Sequence, residues 1–198
     1  MSASFQRVAV IGATGCGKTT LAREVARRIS APHVELDALR YRQGWVVVLD
    51  EAFRSKVAAH VGTDRWVIDG NYANVQDLTW LRAQLLVWID FPLPLALWRL
   101  MRRTLGRLLT GEVLANGNRE QLRRVFSRQS ILIWAVRSHS RRRQLYEELL
   151  THPRYAHMRI VRLRSPSAIR TWLAGIPEPV WGSQAESKIE GRRGPETG

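Results

Sequence analysis

Cysteine is nearly missing from this 198-residue chain: only Cys16 is present, so no intrachain disulfide can form and an intracellular setting is expected. One cysteine cannot build a structural zinc site, and His33, His60, His139, His152 and His157 show no metal-ligand spacing. Long apolar runs are missing too. The most apolar stretch, Leu85 to Leu100, is interrupted by Asp90, Pro92 and Pro94, which does not suit a membrane span, and Met1 to Arg7 has no apolar leader core. The expectation is a soluble, cytoplasmic protein without a membrane partner. Acids are scarce: 17 Asp and Glu face 31 Lys and Arg, a formal charge of +14, and nearly all of the bases are arginine. Two readings of that charge stay open. Arginine grips phosphate in a bidentate fork, which points to a polyanion such as nucleic acid or a multiply phosphorylated substrate. Alternatively, arginine-rich codon usage decorates solvated helix faces.

What is present is concentrated near the start. Arg7 to Gly12 reads as a short buried strand, Gly12-Ala13-Thr14-Gly15-Cys16-Gly17-Lys18-Thr19 follows, and Thr20 to Ser30 carries a helical pattern. This is the Gly-x-x-x-x-Gly-Lys-Thr phosphate-binding loop in its proper strand-to-helix context. Three glycines let the backbone wrap a diphosphate and turn successive N–H groups inward, and the helix adds the positive end of its dipole. The loop from Gly12 to Thr20 is therefore the expected nucleotide site. Lys18 is expected on the β- and γ-phosphates, and the Thr19 hydroxyl on Mg²⁺, a hard cation that takes oxygen ligands. A helix N-terminus lowers a thiol pKa, so Cys16 is expected to alkylate slowly and to be protected by ATP.

Further along, His33 to Leu36 reads as a second strand ending at Asp37, Tyr41 to Gly44 as a loop and Trp45 to Leu49 as a short apolar segment. Asp50-Glu51 opens a helix with Phe53, Val57 and Val61 on one face. Trp66 to Tyr72 is a third strand, Val75 to Leu81 a short helix, and Leu85 to Asp90 a fourth strand closed by Phe91-Pro92. Leu93 to Thr110 is a long helix with Arg99, Arg102, Arg103 and Arg107; helical spacing resumes from Arg119 to Arg137 and from Ser140 to Leu150. Met158 to Leu163 is a fifth strand and Pro166 to Leu173 a closing helix. Strands without alternation, separated by helices, indicate a parallel sheet covered on both faces. One domain is expected over residues 1–175, with an arginine-rich insert over about 104–140 and a disordered tail over 176–198, where Ile189-Glu190-Gly191-Arg192 looks like a protease-tag remnant.

The landmarks Leu36-Asp37-Ala38-Leu39, Trp66-Val67-Ile68-Asp69-Gly70-Asn71-Tyr72 and Trp88-Ile89-Asp90-Phe91-Pro92 with Leu97-Trp98-Arg99 make the chain resemble adenylate-kinase-like P-loop kinases. Within these it is most similar to the bacterial topology modulation (FlaR-like) proteins, over about residues 6 to 174. The resemblance implies a three-layer α/β/α P-loop NTPase fold, a five-stranded parallel sheet of order 2-3-1-4-5, and an arginine-rich helical lid between strands four and five. Adenylate kinases carry Asp-Gly-Phe-Pro-Arg where this chain has Asp69-Gly70-Asn71-Tyr72, and losing that arginine argues against AMP as acceptor.

By the same resemblance, Asp69 ends the strand beside the phosphate loop and is favoured to hold a Mg²⁺-bound water, with Asp90 as its rival; either aspartate also suits a helix cap. Asp37 stands where related kinases place an acid that grips or deprotonates the acceptor hydroxyl, though a cap fits it equally. Asp69, Gly70, Asn71 and Tyr72 are expected around the acceptor. Arg99 and Arg103, four apart on one helix face, are expected at the edge of the nucleotide, one stacking near adenine and the other on phosphate, and the lid arginines Arg119, Arg124 and Arg128 on the transferring phosphoryl group. The primary expectation is a kinase that moves the γ-phosphate of ATP, with Mg²⁺, to a small-molecule or nucleotide acceptor, as monomer or homodimer. The alternative is a nucleic-acid-associated ATPase or polynucleotide kinase using the basic lid; no groove-reading motif supports it.

Overall fold

The computed structural model describes residues 5–110 and 131–177. The three central strands of a five-stranded sheet carry mostly apolar, buried side chains on both faces, which forces helices onto each side of it. In chain order the elements are β1 (Arg7–Gly12), α1 (Lys18–Arg28), β2 (His33–Glu35), α2 (Leu36–Arg40), β3 (Tyr41–Arg42), β4 (Val46–Val47), α3 (Asp50–Val61) and β5 (Trp66–Asp69). They continue with α4 (Gln76–Thr79), β6 (Leu85–Ile89), α5 (Leu93–Thr110), α6 (Ile131–Leu150), β7 (Arg159–Leu163) and α7 (Pro166–Ala174).

The main sheet is parallel, with order β2-β5-β1-β6-β7. Counted among its own five strands, that is the expected 2-3-1-4-5; the labels shift because β3 and β4 form an unforeseen antiparallel pair, Tyr41 opposite Val47. That hairpin replaces the expected loop. Its two-residue strands are too short to leave an alternation signal, and Val46, Val47 and Leu49 stay exposed. β5 stops at Asp69 rather than running to Tyr72, because Gly70 turns at φ +135°, and a β-carbon there would stand 2.7 Å from Leu36 Cβ.

Two apolar layers hold the sheet. On one face Ile11, Trp66, Ile68, Leu86 and Trp88 pack against Phe53 and Val57 of α3 and Tyr146 of α6. On the other Val8, Val10, Val67, Val87 and Ile89 pack against Leu21, Ala22 and Val25 of α1 and the residues of α7. Ser165 caps α7, its Oγ accepting from the Ala168 N–H at 3.1 Å, with Pro166 at the first helical position. Ile176, where the tail was expected to begin, is buried, and Arg28 Nη1 donates to its carbonyl at 3.0 Å. The remaining tail, Arg119, Arg124 and Arg128, and the helix expected from Arg119 as far as residue 130 lie outside the described residues.

Candidate nucleotide and acceptor site

The C-terminal ends of β1, β5, β2 and β6 converge on the loop between β1 and α1, the place where an open parallel sheet leaves a crevice. Gly15 adopts φ +81°, and a β-carbon on it would lie 2.9 Å from Leu100 Cβ, so α5 rests directly on the loop backbone. Lys18 folds back across the turn: its Nζ donates to the Gly12 and Ala13 carbonyls, each at 3.0 Å. Arg99 lies over the Phe91 ring, 5.5 Å from its centroid, with Nη2 3.3 Å from where a Gly17 β-carbon would stand. The structure thus brings Arg99 to the loop, while Arg103 follows one turn later on α5, half-buried.

Cys16 differs from expectation. It is fully buried, and desolvation pushes its thiol above the ordinary value despite the opposing charges of Lys18 and Arg99. Being buried outweighs the helix dipole here.

The acids divide sharply. Asp69, level with Val10 in the β1–β5 ladder, is buried; its Oδ1 lies 3.7 Å from His33 Nε2, and its Oδ2 has no hydrogen-bond partner. Glu35, its partner on β2, has its carboxyl pushed up by burial and by the charges of Asp69 and Asp37. Asp90 is committed elsewhere: Oδ2 accepts from Arg162 at 2.8 Å through Nε and lies 2.6 Å from its Nη2, with Arg143 Nε at 3.4 Å. Asp37 is exposed, and Tyr72 donates its hydroxyl to Asp37 Oδ1 at 2.5 Å. Burial, followed by the Asp37 charge, pushes the Tyr72 phenol far above its ordinary value.

Asn71, expected around the acceptor, directs its amide to Gly12. Its Oδ1 accepts from the Gly12 N–H at 3.2 Å and its Nδ2 donates to the Gly12 carbonyl at 2.5 Å. The turn at Gly70 aims this side chain back at β1 and leaves Tyr72 to face Asp37.

The most consequential residues that the sequence did not single out are on α6. An open cleft between the loop and this helix is lined by Gly12 to Thr14, Asp90, His139, Arg142 and Arg143. Burial lowers the pKa of the Arg142 guanidinium, which makes this a place where a compensating anion is favoured. Among the many arginines of the chain nothing in the sequence marks these two; the packing of Tyr146 onto Trp88, with ring centroids 5.8 Å apart, and of Leu149 and Leu150 onto the same core sets the phase of α6.

As a metal centre the described residues hold no group of three or more His, Cys, Asp or Glu that could bind an ion unaided. A buried carboxylate oxygen without a partner on Asp69 and the Thr19 hydroxyl on the first turn of α1 are nevertheless hard oxygen donors, which fits a Mg²⁺ completed by phosphate oxygens and water. Among the described residues no helix is long and apolar enough to cross a membrane.

Comparison with known proteins agrees with the geometry. Residues 8–65 match the model of the ATPase family associated with various cellular activities (AAA), which spans β1, the loop, α1 and the segment to the start of β5. No curated protein matches the chain. Among solved structures, shikimate kinase from Acinetobacter baumannii in complex with shikimate aligns with a TM-score of 0.54 at 13% identity, covering 96% of this chain and 97% of that one. Shikimate kinase from Bacteroides thetaiotaomicron aligns at 0.50 and 15% identity over 86% and 95%, and a gluconokinase from Sinorhizobium meliloti 1021 at 0.49 and 17% over 86% and 91%. The chain therefore has the α/β P-loop fold that the two shikimate kinases share.

Proposed function

We propose that this protein is a kinase that transfers the γ-phosphate of ATP to a small-molecule or nucleotide acceptor, the whole of residues 1–175 acting as one catalytic domain with an insert over about 104–140. One observation carries the reading: Lys18, parked on the Gly12 and Ala13 carbonyls, has the exposed Asp37–Tyr72 pair on the β2 and β5 side and the Arg142–Arg143 pair on the α6 side. The full-length likeness to shikimate kinases, proteins that by name phosphorylate a small hydroxy compound, supports a small acceptor rather than a polymer.

In this reading Lys18 leaves its two carbonyls for the β- and γ-phosphate oxygens, and the loop N–H groups hold the same phosphates. Thr19 and Asp69 would hold Mg²⁺, which would supply neutralisation of phosphate charge. Arg99 borders the nucleotide, with Arg103 behind it, and Arg142 and Arg143 do from α6 what was expected of Arg128: they offset charge on the phosphoryl group in flight. Asp37, oriented by Tyr72, accepts the proton of the attacking hydroxyl. Phosphoryl transfer asks mainly for such positioning and charge stabilisation. The finer kinship with adenylate-kinase-like enzymes and topology modulation proteins rests on the Asp69-Gly70-Asn71-Tyr72 and Trp88 to Pro92 motifs.

The test is calorimetric titration with ATP and Mg²⁺, followed by a screen for ATP consumption over sugars, hydroxy acids, nucleosides and nucleotides, with DNA and RNA oligomers in the same panel. Micromolar binding and turnover with one small hydroxylated compound are expected. Failure of folded protein to bind ATP–Mg²⁺, or turnover with oligonucleotides alone, overturns the reading.

A further inference from the structure

The ladder between β1 and β5 closes its last pairs at Val10 with Asp69 and at the Gly70 N–H, which donates to the Val10 carbonyl at 3.3 Å. Beyond it the main chains part, because Gly70 turns away at φ +135°. The next rung is nonetheless made, by a side chain. Asn71 presents Oδ1 to the Gly12 N–H at 3.2 Å and Nδ2 to the Gly12 carbonyl at 2.5 Å, so its amide stands in for a strand peptide. A planar carboxamide offers an acceptor atom and a separate donor atom side by side, as a peptide does; a carboxylate has no donor, and a hydroxyl must serve both roles from one atom.

The Gly12 carbonyl also accepts from Lys18 Nζ at 3.0 Å, so both of its lone pairs are occupied. We infer that Asn71 is a positioning residue for the phosphate loop: it keeps the Gly12 peptide satisfied and in place when Lys18 departs for phosphate. This rests on the kinase reading above, in which Lys18 makes that move. With Asn71 present, the departing ammonium leaves the Gly12 oxygen with one partner. Without it the same step strands a part-buried carbonyl, and the penalty falls on the nucleotide-bound state alone. Loss of the second bond, to the Gly12 N–H, costs the same with and without nucleotide and lowers stability only.

That difference gives a readout that a purely structural role would not move. ATP–Mg²⁺ affinity is measured by calorimetry, and by the nucleotide-induced rise in melting temperature at millimolar ATP where binding is weak, for wild type, Asn71→Ala, Lys18→Met and the double variant. Asn71→Ala is expected to weaken binding about tenfold when Lys18 is present, as for one stranded carbonyl. In the Lys18→Met background, where no ammonium leaves the Gly12 oxygen, it is expected to weaken binding less than about twofold. Asn71→Leu, which keeps the bulk and offers neither donor nor acceptor, is expected to repeat this pattern and replaces Asn71→Ala if that variant does not fold. Equal weakening in both backgrounds, or none with Lys18 present, overturns the inference while leaving the kinase reading intact. Absence of ATP–Mg²⁺ binding by wild type overturns both.

Discussion

Tyr72 donates its hydroxyl to Asp37 Oδ1 at 2.5 Å, joining the turn after β5 to the first turn of α2 at the mouth of the crevice. The phenol is steadied from behind by Phe53, whose ring meets it edge-on at 5.3 Å. Because Asp37 itself is exposed, this bond orients a carboxylate more than it holds the fold together. Tyr72→Phe is therefore expected to change stability by no more than about 1 kcal/mol, while lowering kcat with an identified acceptor more than ATP affinity. Denaturant titration and steady-state kinetics on the same preparation check both halves.

Asp37→Asn removes the proton acceptor and keeps the shape. A fall in kcat of about a hundredfold or more is expected, the range of general-base catalysis, with ATP binding nearly unchanged by calorimetry. A loss confined to ATP affinity would place Asp37 outside the acceptor site.

Lys18→Ala is expected to reduce kcat about a hundredfold or more, as for loss of one stabilising contact to a developing charge. The Gly12 carbonyl keeps the Asn71 Nδ2 as a donor when the ammonium is gone, so far-ultraviolet circular dichroism should match wild type.

The two aspartates proposed for Mg²⁺ separate by their partners. Asp90→Asn breaks a charged bond to Arg162 and is expected to destabilise the protein by about 2 kcal/mol, read as a lower melting temperature, with the Mg²⁺ dependence of turnover unchanged. Asp69→Asn is expected to do the reverse, raising the Mg²⁺ concentration needed for half-maximal rate. Exchange of these two outcomes would reassign the metal to Asp90.

Glu35 gives a pH signature. Its folded carboxyl titrates above the ordinary 4.5, first through burial and then through the charges of Asp69 and Asp37. The folded state thus binds more protons than the unfolded one, so this contribution is fully present below pH 4.5 and is lost as pH rises through the folded value. Glu35→Gln is expected to gain stability relative to wild type between pH 4 and pH 7, measured by urea unfolding across about that range. A constant difference would remove the linkage.

Much of the architecture was readable because its signals are local. The loop Gly12 to Thr19 declares itself within eight residues, and runs such as Leu85 to Ile89 can be satisfied only inside a parallel sheet. What escaped depends on where side chains meet across the fold. Asn71 reaches Gly12 because Gly70 turns at φ +135°, and no spacing rule encodes that contact. Arg142 and Arg143 look like any arginines on a cationic helix until Tyr146 fixes which edge of α6 faces the loop. The lowered thiol pKa expected of Cys16 is not found for a related reason: a helix start signals a polarised backbone but does not reveal how completely neighbours such as Leu21 and Ile89 exclude water.

Leu100 against Gly15 makes one volume out of two distant stretches of chain. An enlarged residue at either place must push α5 off the turn, and at Gly15 the φ of +81° strains any side chain even where Leu100 is trimmed. By reciprocity, anything that shifts α5 is felt where phosphates are expected to sit, and filling that seat in turn holds the helix down.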